Sequence, residues 1–150
     1  MPLGISDLAA GIVWLSIFTE RGYLNTLLHA LGVLGPTTLL VHGVQVDEEE
    51  VGLLAETGTK VVLCPRSNRN LEVGEAPLAL YAKHGVELAL GTDSRGSSPD
   101  LDVKNEARFL WGRAEPRLLV RALTRGGYRA LGLPTPRLTR GTPLSLVHFL

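Results

Sequence analysis

The sequence has little that would tie it to an oxidising compartment, a membrane or a nucleic acid. Its 150 residues include one cysteine, Cys64, so an intramolecular disulfide is excluded and we expect a cytoplasmic protein. Fifteen basic residues balance fifteen acidic ones, which argues against nucleic acid or an anionic membrane as a partner. The apolar stretch near the N-terminus is too short to span a bilayer.

A helix-to-strand unit is repeated through the middle of the chain. Three helix-like segments each end in a glycine, which tolerates the left-handed conformation past a helix end, and each leads into an apolar segment. The glycines are Gly32, Gly58 and Gly85, and the apolar segments are residues 38–42, 60–64 and 86–91. Such nearly continuous apolar runs are typical of strands buried on both faces of a parallel sheet. The repeat therefore predicts an α/β fold built of βα units.

The remainder of the chain predicts further helices and one terminal strand. A helix is expected over residues 101–111, with Ser98 or Asp100 as its N-cap, and another over residues 116–131. The tail from residue 139 to 150 is interpreted as a strand.

Two architectures use repeated βα units, the open doubly wound sheet and the (β/α)8 barrel. Both place their chemistry at the carboxyl ends of strands. The doubly wound alternative with a phosphate ligand is disfavoured because the chain contains neither GxGxxG nor GxxxxGKS/T.

Polar residues follow each predicted strand, and four of them are candidate site residues. His42 ends the first strand, where an imidazole can ligate a metal or polarise a carbonyl, or only bond to a loop. Asp93 follows the third strand, where a carboxylate can bind a cation and move a proton, or form an Asx turn or helix cap. Ser67 and Asn68 follow the second strand and either contact a substrate or brace a polar turn. Cys64 is interpreted as a small buried hydrophobe.

These residues together resemble the amidohydrolase superfamily, in the branch of the cytosine deaminases, adenosine-derivative deaminases and chlorohydrolases. The resemblance rests on four motifs in order, covering about residues 37–133. They are His42-Gly43, Cys64-Pro65-Arg66-Ser67-Asn68, Gly74 before Pro77, and Gly91-Thr92-Asp93-Ser94. It implies the C-terminal part of a (β/α)8 barrel, with parallel strands five or six to eight and their helices. We expect residues 1–150 to form a single domain, with 1–20 and 137–150 left unassigned.

The resemblance also implies a chemistry. Asp93 would bind the metal and accept the proton of the attacking water, and His42 would polarise the substrate or ligate a second metal. Ser67 and Asn68 would shape the pocket of a small-molecule substrate, which is the partner that the resemblance implies. The implied cofactor is zinc or iron. The implied reaction is attack by metal-bound hydroxide on a C–N bond of a cyclic amide or amino-heterocycle, as in a deaminase.

Two family features are missing from the sequence. No HxH pair, the source of two metal ligands on the first strand, occurs anywhere in the chain. Near residue 17 the fifth strand should end in a histidine, but Ile17 stands there, and Glu20 is a weak match for the glutamate that follows. A complete barrel needs about 250 residues, so we expect a truncated chain or a fragment with impaired activity.

Two further expectations follow from a partial barrel. Its exposed strand edges and apolar surface predict self-association, with a homodimer as the simplest form. The alternative function is a half-barrel without catalysis that acts as a structural or interaction domain.

Overall fold

A computed structural model of the chain describes residue 28 and residues 30–135. Within that part, each strand is followed by one or more helices. In chain order they are β1 Leu39–Val41, α1 Glu48–Thr57, β2 Lys60–Leu63, α2 Pro65–Asn70, α3 Leu78–His84, β3 Leu88–Leu90, α4 Val103–Phe109, α5 Pro116–Arg121 and α6 Gly127–Ala130. A π-helical turn, Ala122–Gly126, joins α5 to α6.

The three strands form one parallel sheet in the order β1-β2-β3. Leu40 pairs with Val61, and Val62 pairs with Ala89. Because all three strands run in the same direction, their carboxyl ends lie along the same edge of the sheet. The prediction of an α/β fold with parallel strands is therefore confirmed for the described residues.

The helix ends follow the local chemistry of the sequence. Helix α1 begins with a capping box in which Asp47 accepts from the backbone of Glu50, while the Glu50 side chain accepts from the backbone of Asp47. Gly58 after α1 and Gly85 after α3 both have φ of 70°. A side chain is strained in this left-handed region, so glycine is favoured at both helix ends.

The hydrophobic core lies between the sheet and the helices. It consists chiefly of strand residues Leu40, Val61, Leu63, Leu88 and Leu90, packed with helix residues Val51, Leu54, Tyr81, Leu119 and Ala122. All of β3 is buried, although it is an edge strand of the described sheet. In β1 and β2 burial alternates, and Val41 and Val62 are only half-buried. The expectation of burial on both faces is therefore correct for β3 and wrong for β1 and β2 within the described residues.

Three local expectations need correction. The segment after Cys64 is a short helix, α2, rather than a polar turn. The N-cap of α4 is Asp102, which accepts from the backbone of Lys104, and neither Ser98 nor Asp100 has that position. The predicted helix over residues 116–131 is interrupted by the π-helical turn.

Some expectations fall on residues outside the described part of the chain. Ile17, Glu20 and the proposed terminal strand over residues 139–150 belong to this group. Among the described residues, none of the helices is long and apolar enough to cross a membrane.

Candidate active site

His42 and Asp93 lie at the same edge of the sheet, each just past the carboxyl end of a strand. His42 directly follows β1, and Asp93 is three residues beyond Leu90, the end of β3. In the sheet, β2 lies between the strands that His42 and Asp93 follow. The space between the two side chains is consequently available to residues that follow β2.

Helix α2 fills that space and contacts both sides. The ring nitrogen Nδ1 of His42 lies 2.8 Å from Oδ1 of Asn68. The hydroxyl of Ser67 donates to Oδ2 of Asp93 at 2.7 Å. Ser67 is fully buried and Asn68 is 2% exposed. The structure thus brings together all four residues singled out from the sequence, with two consecutive residues of α2 bonded to the two outer strands' polar groups.

The backbone is left-handed at both His42 and Asp93. Their φ angles are 72° and 60°, and the third non-glycine residue with positive φ in the described chain is Glu72. Histidine and aspartate tolerate this region better than most residues, yet it still costs free energy relative to extended or helical backbone. Sparsely populated backbone conformations cluster at functional sites because surrounding contacts must hold them. The pair therefore has the local geometry expected of site residues.

The Asp93 carboxyl is stabilised in its charged form. Burial raises its pKa, but hydrogen bonds from Ser97 and Ser67 and the nearby His42 ring more than offset this and hold the pKa below its usual range. A carboxylate of this kind is present as an anion at neutral pH. It can therefore ligate a cation or accept a proton.

Ser97 is a site residue that the sequence interpretation missed. Its hydroxyl donates to Oδ2 of Asp93 at 2.7 Å, and the residue is 6% exposed. The available signal was a serine four residues after Asp93 in the segment RGSS, but glycine- and serine-rich stretches are ordinarily loops without such a role.

A network of charged groups fixes α2 against α4 and the loop before it. The Arg66 guanidinium makes two hydrogen bonds to Asp100, at 2.8 and 2.7 Å. The fully buried Glu106 accepts from the Arg66 backbone at 3.0 Å, and burial raises the pKa of its carboxyl. Bidentate arginine–carboxylate pairs constrain orientation as well as distance. The helix that carries Ser67 and Asn68 is consequently held at its first turn.

Cys64 has the character expected from the sequence. It is 2% exposed, and burial, with further contributions from Asp93 and Glu106, raises the pKa of its thiol to about 12. Thiolate is the nucleophilic form of cysteine. Cys64 therefore packs as a small apolar side chain and is not a nucleophile near neutral pH.

The donor atoms of His42 and Asp93 are of the types that bind a divalent metal, but two protein ligands are fewer than a catalytic zinc site usually has. An imidazole nitrogen and a carboxylate oxygen are both common zinc ligands, and a catalytic zinc site usually takes three protein ligands plus water. Within the described residues, no group of three or more histidine, cysteine, aspartate or glutamate side chains is arranged to hold a metal ion. His42 and Asp93 therefore fit as contributors to a metal site that needs at least one further ligand.

A separate cavity of about 240 Å³ lies between α2, the start of α3 and α4. Its lining includes Leu63, Asn68 and Phe109, and neither His42 nor Asp93. Arg69 and Arg113 stack on the Phe109 ring, with centroid distances of 5.4 and 4.8 Å. Because Asn68 both lines this cavity and contacts His42, the cavity adjoins the polar edge at which His42 and Asp93 lie.

Comparison with known proteins gives a consistent family. The profile of the amidohydrolase family matches residues 11–149. An aminodeoxyfutalosine deaminase of Deinococcus radiodurans is 46% identical over 117 residues, which cover 76% of this chain and 28% of that protein. A 5-methylthioadenosine/S-adenosylhomocysteine deaminase of Halobacterium salinarum is 39% identical over 131 residues, covering 79% of this chain and 30% of that protein.

A solved structure extends the similarity to three dimensions. The crystal structure of an adenosine deaminase from Xanthomonas campestris with bound zinc is 32% identical and superposes with a TM-score of 0.67. The match covers 83% of this chain and 30% of that one. The chain therefore spans less than a third of the length of each of these three relatives.

Proposed function

Because this chain belongs to the amidohydrolase family, we propose that it forms part of a metal-dependent hydrolase that deaminates an amino-heterocycle. The observation that carries the proposal is that His42 and Asp93 lie at the carboxyl edge of one parallel sheet, each bonded to α2. The deaminases to which the chain is similar narrow the substrate class. A substituted adenosine, with the amine on the purine ring as the leaving group, fits them best.

The proposed reaction is hydrolytic and needs water as its only co-reactant. Water adds to the ring carbon that bears the amine, the C–N bond breaks, ammonia leaves and a carbonyl remains. A divalent metal, with zinc as the first choice, would lower the pKa of a coordinated water toward neutrality. His42 and Asp93 would supply two of its ligands, and Asp93 would take the proton that the water releases and pass it to the leaving amine.

The contacts of His42 define which of its nitrogens faces the site. An amide oxygen accepts only, so Nδ1 of His42 donates to Asn68 and carries the proton. In the neutral ring, Nε2 then has a free lone pair for a metal or a donor group on the substrate. The contacts of Ser67 and Asn68 with a substrate stay predictions. Their hydrogen bonds to Asp93 and His42 support a second role, in which they hold these two side chains in place.

We also propose that the described sheet is the last third of a (β/α)8 barrel. The parallel β1-β2-β3 order and the similarity to a much longer adenosine deaminase support it. The half-buried faces of β1 and β2 would then line the barrel interior. The single-domain assignment and the homodimer stay predictions, and sedimentation of the purified chain tests the latter.

Ammonia release tests the proposed function. The purified chain, with and without added zinc, is incubated with 5-methylthioadenosine and related adenosines, and free ammonia is measured. A second protein carries this chain in place of the matching segment of the Deinococcus radiodurans deaminase. We expect that chimera to be active, and D93N to lose about 100-fold or more of its rate, as removal of an acid–base group does. The matched control, E56Q, changes an exposed carboxylate on α1 and should keep the rate.

A chimera that keeps full activity with D93N would contradict the catalytic assignment. The competing function is the half-barrel without catalysis, acting as a structural or interaction domain. Zinc titration of the purified chain separates the two, because tight stoichiometric binding would count against the non-catalytic alternative.

A further inference from the structure

We propose that Tyr81 is a positioning residue for His42, its buried hydroxyl holding the turn that directs the imidazole toward Asn68. This proposal rests on the role proposed above for His42 and adds a residue on α3, remote from the strand ends in sequence. Its basis is one hydrogen bond, from the Tyr81 hydroxyl to the carbonyl oxygen of Gly43 at 2.6 Å.

The contact between Tyr81 and Gly43 is closed to solvent. Tyr81 is fully buried, and Gly43 is buried as well. A Cβ atom added at Gly43 would collide with the Tyr81 hydroxyl and lie 3.1 Å from Cγ1 of Val61. Glycine is therefore required by close approach as well as by its φ of 54°. Without the tyrosine hydroxyl, the Gly43 carbonyl would lack the hydrogen bond that this donor supplies in a buried position.

The turn that this bond holds contains two successive left-handed residues. His42 has φ of 72° and precedes Gly43 at 54°. The amide of His42 donates to Val62, and the amide of Gly43 donates to Val41, so both amide groups of the turn are already fixed to the sheet. The Tyr81 hydroxyl also fixes the carbonyl group of this turn, that of Gly43. His42 does not favour left-handed backbone by itself, so these contacts have to hold it there.

Tyr81 is well suited to this role because its own position is fixed. It lies in α3, which packs against α1, and its ring belongs to the hydrophobic core. Burial, with a further contribution from Glu50, raises the pKa of its hydroxyl far above its usual value, so the group remains a donor. A rigid donor at 2.6 Å leaves the turn little freedom, and Nδ1 of His42 is in turn held 2.8 Å from Asn68.

The experiment compares Y81F with Y128F in the purified chain. Both changes delete one tyrosine hydroxyl, but in the described structure the hydroxyl of Tyr128 makes no hydrogen bond. Nitrogen-15 NMR of the histidine rings reports the tautomer of His42, assigned with an H42N variant. We expect the wild-type ring to carry its proton on Nδ1, and Y81F to lose that signature in favour of a tautomer mixture. Y128F should keep it.

A second variant approaches the contact from the other partner. G43A should displace the Tyr81 hydroxyl and change the His42 ring signals in the same direction as Y81F. A folded Y81F or G43A with unchanged ring signals would overturn the proposal, even if its melting temperature fell. Loss of the fold in both variants would also overturn it, because the contact would then hold the core rather than direct the ring. The readout needs no catalysis, so it is independent of whether the deaminase proposal fails.

Discussion

At the scale of single residues, Asn68 has more influence on the site than its position in a short polar segment suggests. Its amide oxygen accepts from Nδ1 of His42 and so determines which ring nitrogen remains available. Its neighbour Ser67 has the corresponding role at Asp93, together with Ser97. The arrangement links the orientation of two candidate catalytic groups to one turn of helix.

Replacement of Asn68 by alanine should destabilise the fold. The change removes a buried hydrogen-bond partner and leaves a small void, so we expect a loss of about 1–3 kcal/mol in the free energy of unfolding. The control is N70A, which alters an exposed asparagine on the same helix and should stay within about 0.5 kcal/mol. Urea denaturation of both variants measures the difference, and equal losses would contradict the bracing role of Asn68.

Individual site residues were predictable where a polar group follows an apolar run. His42 and Asp93 met that condition, because the carboxyl ends of parallel strands share one edge of the sheet. Ser97 and Tyr81 did not meet it. Ser97 reaches Asp93 only through the turn that follows it, and Tyr81 is a core residue whose hydroxyl meets the chain 38 residues earlier. The Tyr81 contact depends on packing between elements and the Ser97 contact on the path of a turn, and the local sequence pattern specifies neither.

At the scale of elements, the glycine-ended helices and apolar strands were predictable because their causes are local. Helix α2 was not, because its six residues, PRSNRN, have no apolar periodicity. Its first turn is instead held by Glu106 and Asp100, which lie 40 and 34 residues from Arg66. The N-cap of α4 was misassigned for a related reason, since Asp100 is already bonded to Arg66 and Asp102 caps the helix.

The π-helical turn depends on a glycine that packs against a strand. A Cβ atom added at Gly126 would collide with the carbonyl oxygen of Leu88 in β3. G126A should therefore destabilise the fold by about 1–3 kcal/mol, as overpacking does, although its helical backbone would otherwise favour alanine.

The adjacent Gly127 is the matched control for this prediction. It has helical backbone as well, but an added Cβ would meet nothing within 4 Å. G127A should accordingly be neutral or stabilising by up to about 1 kcal/mol. Thermal and urea unfolding of the two variants test the contrast, and a stabilised G126A would show that the strand yields to the added group.

At the scale of the whole molecule, Glu87 connects the sheet to the C-terminal helices. Just before β3, its Oε2 accepts from Arg121 at 2.8 Å and from Arg129 at 2.6 Å. Burial raises the pKa of its carboxyl, but the two arginines more than offset this and hold the pKa below its usual value. A lowered pKa in the folded state stabilises the fold above the unfolded-state pKa, and this contribution is lost as the pH falls through the folded-state value.

The variant E87Q should reveal that contribution as a pH dependence. Near neutral pH we expect it to be less stable than the wild type by about 1–2 kcal/mol, because two charge-assisted hydrogen bonds are weakened. The two free energies of unfolding should converge as the pH falls below the ordinary glutamate range. E75Q, which breaks an exposed pair with Arg113, should change stability by about 0.5 kcal/mol or less. A constant difference between E87Q and wild type at every pH would contradict the assignment.

The position of α2 between the two outer strands has a consequence for which changes of length the chain tolerates. Consecutive helical residues point about 100° apart, which is what allows Ser67 and Asn68 to reach different strands. Inserting or deleting one residue ahead of Ser67 would rotate both side chains away from their partners at once. Residues 71–75, between α2 and α3, are exposed, and a change of length there would not rotate Ser67 or Asn68. Length variation should therefore accumulate after α2 and be excluded before it.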